Sequence, residues 1–257
     1  MKNIKPLVSV IMNCCNGEKY LRKSIQSLIK QSYSNWELIF WDNKSTDKSK
    51  QIFMKFKDKK VKYFYSSKYN TLYKSRNLAI NKAKGKFITF LDTDDLWKKN
   101  KIKEQIKFML KNKLKICYSN YTILNKKNRK DRIVNKQYNL NVSTQQLLNY
   151  YDLGILTSMV EFSIFKKKKF NTKFEIIGDF DLFIRLSLSY KIGYLNKSLA
   201  FYRVHNSNLS LIKNNLHINE LKDWIKKNSN SFKRKNLDLK KQKQYLLKLQ
   251  VKRYLKY

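Results

Sequence analysis

Short apolar runs alternate with amphipathic stretches through the first 110 or so residues. Residues 7–12, 36–41, 61–65 and 87–91 are continuous apolar runs of strand length. Between them, residues 18–31, 46–56 and 71–84 place apolar side chains three and four apart, the period of a helix with one buried face. In the first of these Tyr20, Leu21, Ile25, Leu28 and Ile29 make that face, and the last is expected to end at Gly85 in a C′ position. A further helix is predicted over residues 98–110. Strands separated by helices of this length imply right-handed crossovers and a mainly parallel sheet covered on both faces, an α/β fold.

Beyond residue 113 the alternation weakens, so residues 1–113 and 114–212 read as two halves of one domain. The second half predicts a strand over 114–124, a basic loop or hairpin over 125–136 and a short helix over 143–151. An apolar stretch over 154–165 should pack under or beside the site. A helix over 179–190 and strands over 192–195 and 199–204 follow. From Lys213 to the end the chain is Lys-rich and helical in pattern, with no Gly or Pro, and reads as an appended basic tail over 213–257. In it Phe232, Leu239 and Leu246 recur every seven residues, with Leu249 nearby. That stripe is expected to lie on an anionic bilayer; the alternatives are packing on the catalytic domain or on a second subunit of a homodimer.

Composition changes the picture in two ways. The formal charge is +39, yet lysine outnumbers arginine 49 to 8. Readers of nucleic acid lean on the planar guanidinium fork, so a lysine excess spread along the chain argues against a nucleic-acid partner and leaves an anionic membrane surface as the larger target. No stretch has the length of a membrane-spanning helix, and the first residues lack a signal-peptide core, which points to a cytoplasmic protein, peripheral at most to the inner membrane. Cys14, Cys15 and Cys117 have no metal-ligand spacing and read as reduced thiols.

Three polar clusters, at residues 13–16, 42–47 and 92–95, fall at the carboxyl ends of predicted strands, where ligands of such sheets bind. In the third, Asp92, Asp94 and Asp95 crowd three carboxylates beyond one strand. A hard divalent cation with a phosphorylated substrate would neutralise them; capping of the next helix is the alternative use of the same residues.

These segments, in order and spacing, resemble the inverting family 2 glycosyltransferases of GT-A fold: residues 8–21, 31–47, 75–79, Gly85 and 91–95, then 177–186 and 202–210. The resemblance spans roughly residues 7–210 and implies transfer of a sugar from a nucleotide diphosphate sugar to an acceptor hydroxyl, in a bacterial setting of surface polysaccharide or lipopolysaccharide synthesis with a glycan or lipid-linked acceptor. It implies nucleotide contacts at Asn13, Cys15, Asn16, Glu18, Asp42, Asn43, Arg76 and Asp92. It further implies Mg2+ or Mn2+ at Asp94 and Asp95 with His205, and Asp179 as the base. Two positions depart from the family pattern: Asn43 stands where Asp is common, and Gly178 where Glu is usual. Helix capping by Asp179 and Asp181, a surface ion pair for Arg76 and a solvated His205 are the structural alternatives. A nucleotidyltransferase or other nucleotide-sugar enzyme, or a catalytically silent basic binding protein, are the competing functions.

Overall fold

The computed structural model describes residues 5–125, 132–133 and 140–254. In its first half β1 (Val8–Cys14), α1 (Glu18–Ile29), β2 (Trp36–Asp42), α2 (Ser49–Phe53), β3 (Val61–Tyr65), α3 (Leu72–Ile80) and β4 (Phe87–Phe90) alternate as expected. Then come β5 (Leu96–Trp97), α4 (Lys101–Lys111), β6 (Ile116–Asn125), β7 (Arg132–Ile133), β8 (Asn141–Val142) and α5 (Thr144–Asn149). A 3-10 turn (Ile155–Thr157) leads to β9 (Met159–Glu161), α6 (Phe162–Lys167), α7 (Gly178–Ser187), β10 (Ile192–Val204), α8 (Leu209–Ile212), α9 (Asn214–Lys233) and α10 (Lys240–Tyr254).

Among the described residues one sheet runs in the order β3-β2-β1-β4-β9-β6-β10-β5, with β7 on β6 and β8 on β10. The pairings from β3 to β4 are all parallel. Beyond β4 the sheet is mixed, because β9 joins both β4 and β6 antiparallel while β6 and β10 run parallel. Every residue of β2 is buried, as a strand covered by helices on both sides requires. One apolar cluster, with Leu21, Ile25 and Ile106, lies under α1 and α4; the other, with Ile80, Phe183 and Trp224, lies under α3, α7 and α9.

Several expected boundaries shift for local reasons. The helix expected over 46–56 shrinks to α2 because residues 45–49 are drawn into a loop contact described below. Gly85 is not a helix cap: α3 has already ended at Ile80 and no glycine has positive φ. It is needed for closeness, since a Cβ there would stand 2.6 Å from the Ser9 nitrogen and 2.8 Å from the Leu7 carbonyl. The two strands expected over 192–204 are one strand, β10, with register shifts between Leu195 and Ala200. Of the loop or hairpin over 125–136, only Asn125 and β7 lie within the described residues, and β7 pairs antiparallel with β6.

The largest revision concerns the tail. α9 and α10 pack on each other and fold back on the domain, joined through a turn in which Asn236 has φ 55°. Phe232 and Leu239 are buried in the second cluster, and Leu246 and Leu249 pack against it. The stripe expected to face a bilayer is therefore covered by the catalytic domain, the alternative packing. Burying one such side chain stabilises by about 1.5–3 kcal/mol, which makes the domain itself a sufficient partner.

Candidate active site

The carboxyl ends of β1, β2 and β4 meet as the parallel topology requires, and a cavity of about 610 Å3 opens there. Asn13, Cys15, Asn43, Arg76, Asp92, Asp94, Asp95 and Asp179 all line it. Asn16, Glu18, Asp42 and His205 are not part of its lining.

Two loops are welded together at its rim. Asn16, at φ 57°, accepts from the Thr46 N–H (2.8 Å), and its own N–H donates to Ser45 Oγ (3.0 Å). Glu18 accepts from the Lys48 N–H (2.9 Å) while its N–H donates to Asp47 (2.8 Å). Both side chains are thus committed to holding the β1 and β2 loops together. Asp42 is likewise engaged, accepting from the Tyr63 hydroxyl (2.6 Å) and the Ser45 N–H (2.8 Å). Asn43 exchanges two hydrogen bonds with the backbone of Asn70 (2.8 and 3.0 Å), where a carboxylate could only accept. That gives Asn43 a structural reason to be an amide.

Asn13 is different. Both polar atoms of its side chain are buried with no partner among the described residues, and so are Ser75 Oγ and the Tyr151 hydroxyl on the same cavity wall. Orphaned polar atoms cost about 1–3 kcal/mol each unless a ligand satisfies them.

On the floor, Arg76 Nη2 donates to both oxygens of Asp92 (2.8 and 3.1 Å), with the guanidinium over the Tyr73 ring. The three carboxylates diverge because residues 92–95 form a turn, in which the Asp95 N–H donates to the Asp92 carbonyl (3.2 Å). Asp95 turns inward to accept from the Arg203 N–H (2.9 Å), and Arg203 Nε donates to the Asp94 carbonyl (2.8 Å). Burial, together with Asp94 and Asp92, pushes the Asp95 carboxyl well up. Asp94 Oδ2 lies 2.9 Å from His205 Nε2, and burial with the nearby Asp92 raises its carboxyl too. Because the Ser207 N–H donates to His205 Nδ1 (3.2 Å), the ring proton belongs on Nε2, which then donates to Asp94. Asp95 and His205 are therefore each already engaged within the protein, Asp95 by the Arg203 N–H and His205 by Asp94. Among the described residues no three His, Cys, Asp or Glu side chains converge on a point. Asp94, steadied by His205, nevertheless fits a Mg2+ or Mn2+ ion that shares its shell with substrate phosphates, since such ions use one or two carboxylates.

Asp179 sits in the first turn of α7. Its Oδ1 accepts from the Tyr73 hydroxyl (3.0 Å) and the Phe180 N–H (2.8 Å), and Oδ2 accepts nothing from the described residues. Burial raises its carboxyl, with the Arg76 charge pulling the other way. Asp181 accepts from Arg185 and from Trp224 Nε1 (3.1 Å), which makes it a strut to α9. Gly178 has no room for a side chain, because a Cβ would stand 2.4 Å from the Tyr73 ring.

The order of these features along the chain is matched elsewhere. The sequence profile described as "Glycosyl transferase family 2" covers residues 9–174, well over half of the chain. The chain belongs to glycosyltransferase family 2.

The glycosyltransferase is 32% identical, over 79% of both chains, to the Escherichia coli UDP-Glc:alpha-D-GlcNAc-diphosphoundecaprenol beta-1,3-glucosyltransferase WfgD. Its fold is of GT-A type and resembles S. aureus TarS 1-349 with a TM-score of 0.68 at 23% identity, covering 76% of this chain and 60% of that one. The Pyrobaculum calidifontis mannosyltransferase PcManGT, in complex with GDP-Man and Mn2+, gives a TM-score of 0.65 at 12% identity over 87% of this chain and 65% of that one.

Several residues that build the glycosyltransferase's site carry no local signal. Glu220, on α9, accepts from the N–H groups of Glu175, Ile176 and Ile177 (2.6, 2.9 and 3.1 Å), the residues that lead into Asp179. Tyr73, Arg203 and Trp224 act in the same way across the fold. Arg203, as one of 8 arginines, could have been singled out on rarity; the others could not.

Proposed function

We propose that this glycosyltransferase moves a sugar from a nucleoside diphosphate donor to an acceptor hydroxyl in one displacement, with inversion and with Asp179 as base. The observation that supports it is a single cavity onto which Asn13, Arg76, Asp94 and Asp179 all open. The nucleoside lies against the ends of β1 and β2, where the Asn13 amide offers a donor and an acceptor to a base. Arg76 and Asp92 hold the floor of the donor site.

Asp179 Oδ2 takes the proton of the acceptor hydroxyl as its oxygen bonds to the anomeric carbon from the face opposite the leaving group. The bond from that carbon to the diphosphate breaks, and the electron pair leaves on the phosphate oxygen. A raised carboxyl is the better proton acceptor for this step. Asp94, oriented by His205, would hold a Mg2+ or Mn2+ ion, which supplies neutralisation of the departing diphosphate.

The acceptor, by analogy with the one named for WfgD, is lipid-linked and belongs to polysaccharide synthesis. The enzyme then meets it peripherally at the cytoplasmic face of a membrane; among the described residues no helix is long and apolar enough to cross one.

Incubation with a panel of nucleoside diphosphate sugars and Mg2+ tests the proposal. Release of nucleoside diphosphate, and a product of inverted anomeric configuration, are expected. Release of monophosphate or pyrophosphate would assign a nucleotidyl chemistry instead, and a retained configuration would exclude the single displacement.

A further inference from the structure

A second cavity, of about 550 Å3, lies behind Asp179 between α5, α7 and the α9–α10 pair. Tyr151, Ile176, Asp179 and Ser210 line both cavities, so a molecule held in the second one reaches Asp179 without entering the donor's space. Its volume falls within the range of small-molecule sites.

Two polar atoms on its wall lack partners. Gln242 is 6% exposed; its Nε2 donates to the Leu148 carbonyl, and its Oε1 has no partner among the described residues. The Tyr151 hydroxyl is buried and equally unpartnered. An acceptor oxygen and a hydroxyl, set in a wall with Phe180 and Leu221, suit the hydroxyls and apolar face of a sugar. Lys241 and Lys248, both exposed, also line it, seven residues apart on one face of α10; neither belongs to an ion pair within the described residues, and Lys241 Nζ lies 5.9 Å from the Tyr150 ring. Two ammonium groups with no carboxylate partner among the described residues, at the mouth of a sugar-sized space, suit an anion attached to that sugar.

We propose that the second cavity holds the acceptor as a sugar bearing a phosphate or diphosphate, with Tyr151 and Gln242 on the sugar and Lys241 and Lys248 on the phosphate. This rests on Asp179 as the base of the transfer. It also gives the C-terminal helices a second role, because α10 supplies the side chains that distinguish an anionic acceptor from a neutral one.

The test labels the full-length protein with sulfosuccinimidyl acetate and reads each lysine by mass spectrometry, with UDP and Mg2+ present to fill the donor cavity. Among the described residues no lysine lines that cavity, so protection of Lys241 and Lys248 reports the second one. Two probes separate the sources of the phosphate: N-acetylglucosamine 1-phosphate for a soluble phosphosugar, and N-acetylglucosamine joined through a diphosphate to a phenoxyundecyl chain for a lipid-linked one. One of them should slow acetylation of both lysines by about tenfold while exposed Lys30 and Lys103 react as before, and Tyr151→Phe should raise the half-protecting concentration about tenfold. Unprotected lysines with both probes would overturn the proposal, even if the enzyme releases nucleoside diphosphate from a donor. Protected lysines in a protein that uses no sugar donor would leave this site standing and overturn the transferase reading instead.

Discussion

The hydroxyl of Tyr73 lies 3.0 Å from Oδ1 of Asp179, so α3, which carries Arg76 one turn on, also holds the carboxylate at the head of α7. Tyr73→Phe should therefore act on the reaction more than on the fold. It removes a donor to the ionised carboxylate, and transfer should fall about tenfold, the scale of one charged hydrogen bond. The sign with pH is fixed by the same bond. A base works when deprotonated, burial already raises Asp179, and loss of the hydroxyl raises it further. The acid limb of kcat/KM should lie above the ordinary carboxylate range and move to higher pH in the variant; a limb that stays in place or moves down would dissociate Tyr73 from the base.

Asp179→Asn keeps the shape of the site and removes its proton acceptor. Donor binding, followed by calorimetry, should be nearly unchanged, while transfer falls by about 10²–10⁴-fold. Loss of donor binding and of thermal stability together would assign Asp179 to the helix instead.

Asp94→Asn should abolish the enhancement of donor binding by Mg2+ or Mn2+. His205→Gln should weaken it by about 10–100-fold, since it disturbs only the group that orients the carboxylate. Chelation should silence the wild type. Full activity in excess chelator would remove the ion from the reaction.

Glu220→Gln tests whether the C-terminal helices are part of the site. Three backbone N–H groups lose their charged acceptor, and stability should drop by about 1.5–3 kcal/mol in urea unfolding, with transfer impaired beyond what the remaining folded fraction accounts for. Transfer falling only in step with the folded fraction would make α9 a passive prop.

Gly178→Ala places a methyl group on the Tyr73 ring and should destabilise by about 1–3 kcal/mol, the scale of overpacking. The double variant with Tyr73→Ala should recover part of that loss. Additive losses would show that the clash is not what keeps glycine at this position. The family's usual Glu is excluded here by the same ring.

What is legible in the sequence follows the range of the interactions. β1 to β4 and their helices can be read because each strand is a continuous apolar run and each helix has a 3.6-residue stripe, both local patterns. The convergence of Asn13, Asn43 and Asp92 follows from parallel topology alone. The stripe of Phe232, Leu239 and Leu246 is equally plain, but apolar periodicity is the same whether lipid or protein covers it. Glu220 cannot be read at all, because its partners are backbone N–H groups more than 40 residues away. Asn16 and Glu18 bond to the neighbouring loop, a contact the sequence cannot show because polar residues after a strand look alike whether they face a ligand or that loop.

The grip of α9 on the segment before Asp179 also sets a timetable for synthesis. Glu220 and Trp224 follow their partners Ile177 and Asp181 by 43 residues. At 5–20 residues per second a ribosome delivers them roughly 2–9 s after those partners. The nascent chain thus has its first strands ready to pair well before the segment leading into Asp179 can be fixed, and a polypeptide that stops short of α9 lacks the carboxylate that fixes it.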